Sequence, residues 1–214
     1  MTRHRRFLGA ALGAASVLAL TACATPAGSA GSSPADAPPS ASLGSLWPAP
    51  PEGEVVAQGT VMETDGETEL CLGPVAESYP PQCSGIPLRG WSWDAVEGSE
   101  TSDGTTWGAY AVQGTFDGDA FTATQPPIML ALYDPMMPED PTGGKPGAGE
   151  EAELVAIQDE LPDLLGDAYL ASYPDNGWLW VDVVWDDGTW QEAADDDYGD
   201  GKVVIRSALT PVTG

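Results

Sequence analysis

The sequence predicts an α+β protein, in which a small antiparallel β-barrel or curved β-sheet is followed by an αββαβ unit. Residues 54–133 contain short runs of β-forming residues that are joined by Asp-Gly turns. In residues 150–214, segments with the apolar spacing of a helix alternate with segments of β-forming residues. Residues 134–149 contain four prolines and four glycines, and we expect them to form a linker between the two folded parts.

The β-rich half is predicted from its two longest runs, residues 55–62 and 107–116. Asp65-Gly66 and Asp117-Gly118 follow these runs, and glycine accepts the positive φ that tight hairpin turns need. Short strands with Gly-rich turns favour a small barrel or a curved sheet.

The second half begins with a predicted helix over residues 150–165, which has acids in its first turn and apolar residues at helical spacing. Pro162 predicts that this helix ends or kinks there. Asn176-Gly177 predicts a hairpin, and Thr189 with Glu192 fits a capping box that opens a second helix before a final strand. We expect both helices to lie on one face of a three-stranded sheet that packs on the β half.

Residues 1–22 are predicted to be a signal peptide. A basic segment, Met1 to Arg6, precedes an apolar run from Phe7 to Leu20. That run is too short to span about 30 Å of hydrocarbon as a permanent helix, so cleavage is expected. Arg5-Arg6 lies near a twin-arginine pattern with altered spacing, and this leaves export by the general or the twin-arginine route open.

The cleavage region Leu20-Thr21-Ala22-Cys23 resembles the lipobox of bacterial lipoproteins. The resemblance implies that Cys23 receives a diacylglycerol with fatty chains such as palmitate and becomes the new N-terminus. The alternative is an ordinary secretory signal that is cut after Ala22. The following residues, up to position 53, are rich in Ala, Ser, Gly and Pro, and we expect residues 23–53 to form a lipidated, disordered tether.

The charge balance excludes several classes of function. The chain has 33 acidic and 7 basic residues and a net charge of −26. After signal cleavage, four basic residues remain against the same acids, which gives −29. Such a surface repels nucleic acid. The only histidine, His4, leaves with the signal, which excludes Ser-His or Cys-His catalysis and zinc sites that contain histidine.

Cys71 and Cys83 are the two cysteines left once Cys23 is acylated. An even pair in an exported protein predicts a disulfide. It would close a loop of about 13 residues and stabilise the fold by about 3 kcal/mol. A metal site with two cysteines is the alternative.

Two further clusters are candidate sites. Asp195, Asp196, Asp197 and Asp200 could supply oxygen ligands to calcium, although their spacing does not fit an EF-hand. A solvated helix end is the alternative, so no metal ligand is assigned.

Aromatic residues and carboxylates together could bind or hydrolyse a glycan. The tryptophans concerned are Trp91, Trp93, Trp107, Trp178 and Trp180. Because 33 acids place some pair of carboxylates at a suitable distance in any fold, this pattern selects no catalytic residue. The interpretation that we favour is that these tryptophans form the core.

Several segments together resemble an uncharacterised lipoprotein family of high-GC Gram-positive bacteria (actinobacteria). They are Glu77–Cys83, Trp91–Trp93, Trp107–Tyr110, Gly114–Asp119, Trp185–Gly188 and Ser207–Val212. The resemblance covers most of residues 53–212. It implies a bacterial cell envelope as the host compartment and brings no activity, cofactor or catalytic residue.

The sequence therefore predicts a lipid-anchored protein on the extracytoplasmic face of the cell membrane. We expect a non-catalytic interaction or structural module without a cofactor, whose partner is an envelope protein or glycan. The alternatives are a carboxylate-based glycan hydrolase and a calcium-dependent scaffold.

Overall fold

The computed structural model describes residues 42–135 and 140–212 and confirms the predicted α+β class. Eleven strands form in this part of the chain. They are β1 (Val55–Thr64), β2 (Glu67–Cys71), β3 (Ile86–Arg89), β4 (Glu100–Ser102), β5 (Thr105–Phe116), β6 (Phe121–Ala123), β7 (Ile128–Met129), β8 (Tyr169–Asp175), β9 (Trp178–Val183), β10 (Val203–Ser207) and β11 (Thr210–Pro211). The two α-helices are α1 (Glu151–Leu165) and α2 (Thr189–Tyr198).

The first half closes into a barrel of five strands. The order runs β1-β2-β3-β6-β5 and returns to β1, which pairs with β5 along its whole length from Val55↔Gly114 to Thr64↔Thr105. β3 and β6 are parallel, whereas the other pairs in the barrel are antiparallel. The barrel is therefore mixed where the sequence predicts an antiparallel one, because β3 and β6 are separated in the chain and meet only when the barrel closes.

The barrel encloses its own hydrophobic core, and a loop closes one end of it. Trp91 and Trp93 lie in the β3–β4 connection, which contains a 3₁₀ turn, and their rings contact each other edge to face at 5.3 Å. Trp91 also packs on the buried ring of Tyr110 at 5.1 Å, and the Trp93 indole donates to Glu63 Oε2 at 3.2 Å. These two tryptophans therefore pack against the core, as the sequence favours, although they do not lie on a strand.

The second half is the predicted αββαβ unit. Its sheet has the order β10-β9-β8; β8 and β9 form an antiparallel hairpin over Asn176-Gly177, and β9 and β10 are parallel. Both helices contribute to one core with the inward side of β9. The buried members of this core are Leu43, Leu154, Ile157, Leu161, Leu165, Leu179, Val181, Val183, Trp190, Ala193, Ala194 and Val203.

Two details of the predicted helices differ. Helix α1 continues past Pro162 to Leu165, and the amide of Gly166 donates to the Pro162 carbonyl as the helix ends. Helix α2 is not opened by a capping box at Thr189, since its N-cap is Gly188 with φ of 105° and no side-chain cap. Instead, the Asp186 carboxylate accepts from the amide of Trp190 at 2.9 Å, because the turn brings this acid under the free amides of the first helical turn.

Residues 42–53, hereafter the strap, depart from the predicted tether, because they lie against the αββαβ unit. Leu43 is 3 % exposed and belongs to the core of that unit. The indole of Trp190 donates to the Leu46 carbonyl at 2.9 Å, and that of Trp185 donates to the Ala49 carbonyl at 2.9 Å. Composition predicts disorder here, but one buried leucine and the hydrogen bonds to two tryptophans hold these residues on the fold.

The described part of the predicted linker runs beside the β8–β9 turn. The amides of Gly147 and Gly149 donate to the carbonyls of Asn176 and Gly177, each at 2.9 Å.

No helix within the described residues is long and apolar enough to cross a bilayer.

Candidate ligand-binding cleft

A cleft of about 560 Å³ lies where the barrel meets the αββαβ unit. We call it the junction cleft. Its lining is mainly apolar, and strands β2, β3 and β8, the β5–β6 turn, the residue after β9 and the strap all contribute to it. The lining residues include Trp47, Leu72, Ser84, Ile86, Phe116, Asp119, Asp167, Tyr169, Leu170 and Val184.

An irregularity in β8 places Leu170 in this cleft. The pairing between β8 and β9 shifts between Tyr169 and Ala171, which leaves Leu170 as the extra residue of a bulge. A bulge re-aims a side chain, and Leu170 packs with the barrel core while Tyr169 packs with the core of the αββαβ unit. The bulge therefore adds Leu170 to the lining of the junction cleft, and no periodic pattern in the sequence reveals this shift of register.

Asp119 and Asp167 are the charged residues that line the cleft. Each follows a glycine with positive φ, Gly118 at 102° in the β5–β6 turn and Gly166 at 53° after α1. Both acids are exposed, and within the described residues neither carboxylate has a hydrogen-bond donor or a basic partner. The cleft therefore has a negative rim, and no Lys or Arg lines it among residues 42–135 and 140–212.

The neighbouring Asp117 is bonded quite differently. Its Oδ1 accepts from the amides of Asp119 and Ala120 at 3.0 and 2.7 Å, and its Oδ2 pairs with Arg89 at 2.8 Å. The two backbone hydrogen bonds are the main reason why the pKa of Asp117 is lowered. Asp117 therefore fixes the turn and leaves the carboxylate of Asp119 available to a ligand.

A second cavity of about 370 Å³ contains Arg206, but this cation is already satisfied. Its guanidinium pairs with Asp182 at 2.7 Å and lies over the rings of Trp180 and Tyr173, at 5.0 and 5.6 Å from their centroids. It also donates to the Tyr173 hydroxyl at 3.2 Å. This arrangement holds together the outer face of the three-stranded sheet, so we assign no binding role to it.

The predicted disulfide between Cys71 and Cys83 is present, with the two Cα atoms 6.1 Å apart. It closes the loop that carries Tyr79, whose ring is 69 % exposed and contacts Trp107 edge to face at 5.3 Å. Cys23, the predicted lipidation site, lies outside the described residues.

The predicted calcium candidates do not converge on one point in the described part of the chain. Asp195 accepts from the Gln191 side chain at 3.2 Å, and Asp197 accepts from the Leu43 amide at 2.7 Å on the strap. No group of three or more His, Cys, Asp or Glu side chains that could hold a metal occurs among residues 42–135 and 140–212.

Asp186 and Asp187 lie just before the start of α2, and their pKa values are shifted in opposite directions. Burial raises the pKa of Asp186, and the backbone hydrogen bonds from Trp190 and Gln191 oppose this rise. The pKa of Asp187 is lowered, chiefly by the hydroxyl of Thr189. Asp186 therefore accepts from the first turn of α2, and Asp187 also holds the strap, since the Ala49 amide donates to it at 3.0 Å.

The predicted aromatic candidates are also dispersed. Trp91 and Trp93 close the barrel, Trp107 contacts Tyr79 outside it, and the other two lie on the three-stranded sheet. The aromatic residues of the junction cleft are instead Trp47, Phe116 and Tyr169. Trp47 is the single large aromatic residue of a Pro-rich segment, which predicts that it docks on the edge of the folded part, and its ring contacts Trp190 edge to face at 5.4 Å.

Comparisons of this chain with protein-family models, with curated proteins and with solved structures find no match. The junction cleft and the N-terminal sequence are therefore the features of this chain that indicate a function.

Proposed function

We propose that this protein is a lipid-anchored, non-catalytic binding module on the extracytoplasmic face of the cell membrane, which receives its ligand in the junction cleft. The observation that carries the proposal is the cleft itself. Its volume of about 560 Å³ lies in the range of ligand sites, and a mostly apolar lining with a few polar groups is typical of such sites. The lipobox-like Cys23 and the disulfide support the compartment.

The chemistry of the lining supports binding rather than catalysis. Its hydroxyl groups belong to Ser84 and Tyr169, and the Tyr169 hydroxyl is already hydrogen-bonded to Ser172 Oγ at 2.7 Å. Catalysis by a serine needs a general base within hydrogen-bond reach, and the described structure gives Ser84 no such partner. The cleft can therefore hold a ligand without a group placed to attack it.

The anchoring half of the proposal is tested with the full chain, expressed in an actinobacterial host. We expect the wild-type protein in the membrane fraction, with a mass increased by acylation. Cys23→Ser should lose the added acyl mass, whereas the matched control Ser33→Ala should keep it and stay with the membrane. A wild-type chain that carries no acyl mass would refute lipid anchoring.

A carboxylate-based glycan hydrolase is the second candidate, because Asp119 and Asp167 line one cleft and glycosidases use two carboxylates. Purified cell-wall glycan incubated with the protein distinguishes the two functions. The binding proposal expects no new reducing ends. Release that stops in Asp119→Asn or Asp167→Asn, with the fold intact by circular dichroism, would establish the hydrolase instead.

A further inference from the structure

We propose that the junction cleft selects hydrophobic cations, meaning small molecules with an apolar body and one ammonium group. This inference depends on the proposed binding function and names the class of ligand. It combines the apolar lining of the cleft with the charge of its rim.

The lining favours an apolar body over a polyhydroxylated one. Leu72, Ile86 and Leu170 contribute half-buried apolar side chains to the lining, and the nearly buried side chains of Phe116 and Val184 lie behind them in the barrel core. A sugar that entered would give up many hydrogen bonds to water, and unsatisfied polar groups are costly to bury. An alkyl or aryl group loses nothing of this kind and gains contacts with the lining.

The rim favours a positive charge over a negative or neutral one. Asp119 reaches the cleft from the barrel, and Asp167 reaches it from the 3₁₀ turn after α1. Neither has a partner among the described residues, and no Lys or Arg lines the cleft. An ammonium group supplies the missing partner for these carboxylates, whereas a carboxylate or phosphate ligand meets two like charges.

The strap makes the site more specific than an acidic surface alone. Trp47 is 61 % exposed, lines the cleft and contacts Trp190 edge to face at 5.4 Å. Trp47, Asp119 and Asp167 line the same cleft, and aromatic rings attract cations within about 6 Å of their faces. A diffuse attraction to the negative protein would involve no such combination of ring, apolar lining and acids.

The test uses octylamine, octan-1-ol and octanoate, which share a chain and differ in head-group charge. Each is titrated at matched ionic strength into the oxidised mature chain carrying Cys23→Ser, and amide and indole NMR shifts are followed. We expect octylamine to bind about tenfold more tightly than the other two, which corresponds to about 1.4 kcal/mol. The shifts should centre on Gly118, Gly166 and the Trp47 indole.

Variants assign the preference to the two acids. The double variant Asp119→Asn/Asp167→Asn should bind octylamine and octan-1-ol within about twofold of each other. The control Asp159→Asn, an exposed acid on α1 outside the cleft, should keep the full preference. All three positions are exposed, so the variants are expected to fold.

Each other outcome has a definite meaning. If octan-1-ol binds in the cleft as tightly as octylamine, the selection of cations is wrong and the binding module remains. If octylamine shifts resonances over the whole surface, or keeps its preference in the double variant, the attraction is diffuse and the inference fails. If none of the three perturbs the cleft, the inference and the proposed use of the cleft both fail.

Discussion

Val183 and Val184 are neighbours in the chain, yet their side chains are buried in different cores. Val183 is 0 % exposed in the core of the αββαβ unit, and Val184 is 2 % exposed in the barrel core. Around this point, the amide of Leu209 donates to the Val184 carbonyl at 3.2 Å, and β11 then pairs with β1. The end of β9 therefore joins the two cores through consecutive residues.

This connection predicts that the two halves unfold together. Val184→Ala should lower the free energy of unfolding by about 2 kcal/mol, because it removes two buried methyl groups and leaves a cavity. Urea unfolding followed by tryptophan fluorescence and by far-UV circular dichroism should give coincident curves that shift equally. The control Val155→Ala, at a position 40 % exposed on α1, should change stability by less than about 0.5 kcal/mol. Separate transitions for the two probes would show that the halves are independent.

The contact between Asp197 and Leu43 predicts that one exposed acid holds the beginning of the strap. Asp197→Ala removes the acceptor for the Leu43 amide, and a hydrogen bond to a charged group at an exposed position is worth about 1 kcal/mol. We expect hydrogen exchange of the Leu43 amide to accelerate about fivefold. Alanine has a high helix propensity and Asp197 is exposed on α2, so we expect the helix and the core beneath it to keep their structure.

Asp196→Ala is the matched control for this measurement, because Asp196 is exposed on the same helix and has no hydrogen-bond partner in the described structure. It should leave the exchange of Leu43 unchanged. Equal acceleration in both variants would mean that the charge of α2, and not the specific hydrogen bond, holds the strap.

The sequence predicts the architecture well wherever local chemistry decides the structure. The Asn176-Gly177 turn, the helix that buries Leu154 and Ile157, and the pairing of Cys71 with Cys83 all follow from spacing and residue type. The junction cleft does not follow, because it depends on the bulge at Leu170 and on how the two halves pack.

The strap escapes prediction for a related reason. Its composition resembles that of a disordered tether, and tertiary contacts such as the burial of Leu43 and the hydrogen bonds from Trp185 and Trp190 explain why it lies on the fold. The start of α2 shows the same limit, since Thr189 fits a capping box locally but the half-buried Asp186 accepts from the first-turn amide in the fold. Local propensity is overridden at these points by partners that are distant in the chain or placed by a turn.

The raised pKa of Asp186 predicts a specific pH dependence. Burial raises the pKa of Asp186 in the native state above 3.8, the ordinary pKa of an aspartate in the unfolded chain. Native Asp186 therefore keeps its proton to a higher pH than unfolded Asp186 does. The native state then binds more protons in this window, so the Asp186 contribution to stability falls as the pH rises through it. Asp186→Asn keeps an acceptor for the Trp190 amide and cannot ionise. Its stability relative to wild type, measured by urea unfolding, should therefore rise as the pH increases above the ordinary aspartate pKa of 3.8.

Asp187→Asn provides a control with the opposite sign. The pKa of Asp187 is lowered, so this acid stabilises the native state above its ordinary value and loses that effect as the pH falls. The stability of Asp187→Asn relative to wild type should therefore fall as the pH rises from below 3.8, the ordinary aspartate pKa, through that value. Parallel trends in the two variants would contradict the opposite environments that the structure gives these neighbours.

The stacked position of Arg206 predicts that lysine cannot replace it. Arg206→Lys keeps a positive charge near Asp182 but loses the planar contact with Trp180 and the fixed donors that reach the Tyr173 hydroxyl. We expect a loss of about 1 kcal/mol in the free energy of unfolding. Arg89→Lys is the matched control, because the Arg89–Asp117 pair is exposed, with 60 % and 55 % of the side-chain surfaces accessible. Its cost should stay below about 0.5 kcal/mol, since exposed ion pairs contribute little. If urea midpoints fall equally in both variants, charge alone accounts for the role of Arg206, and its stacking on the outer face of the sheet contributes nothing measurable.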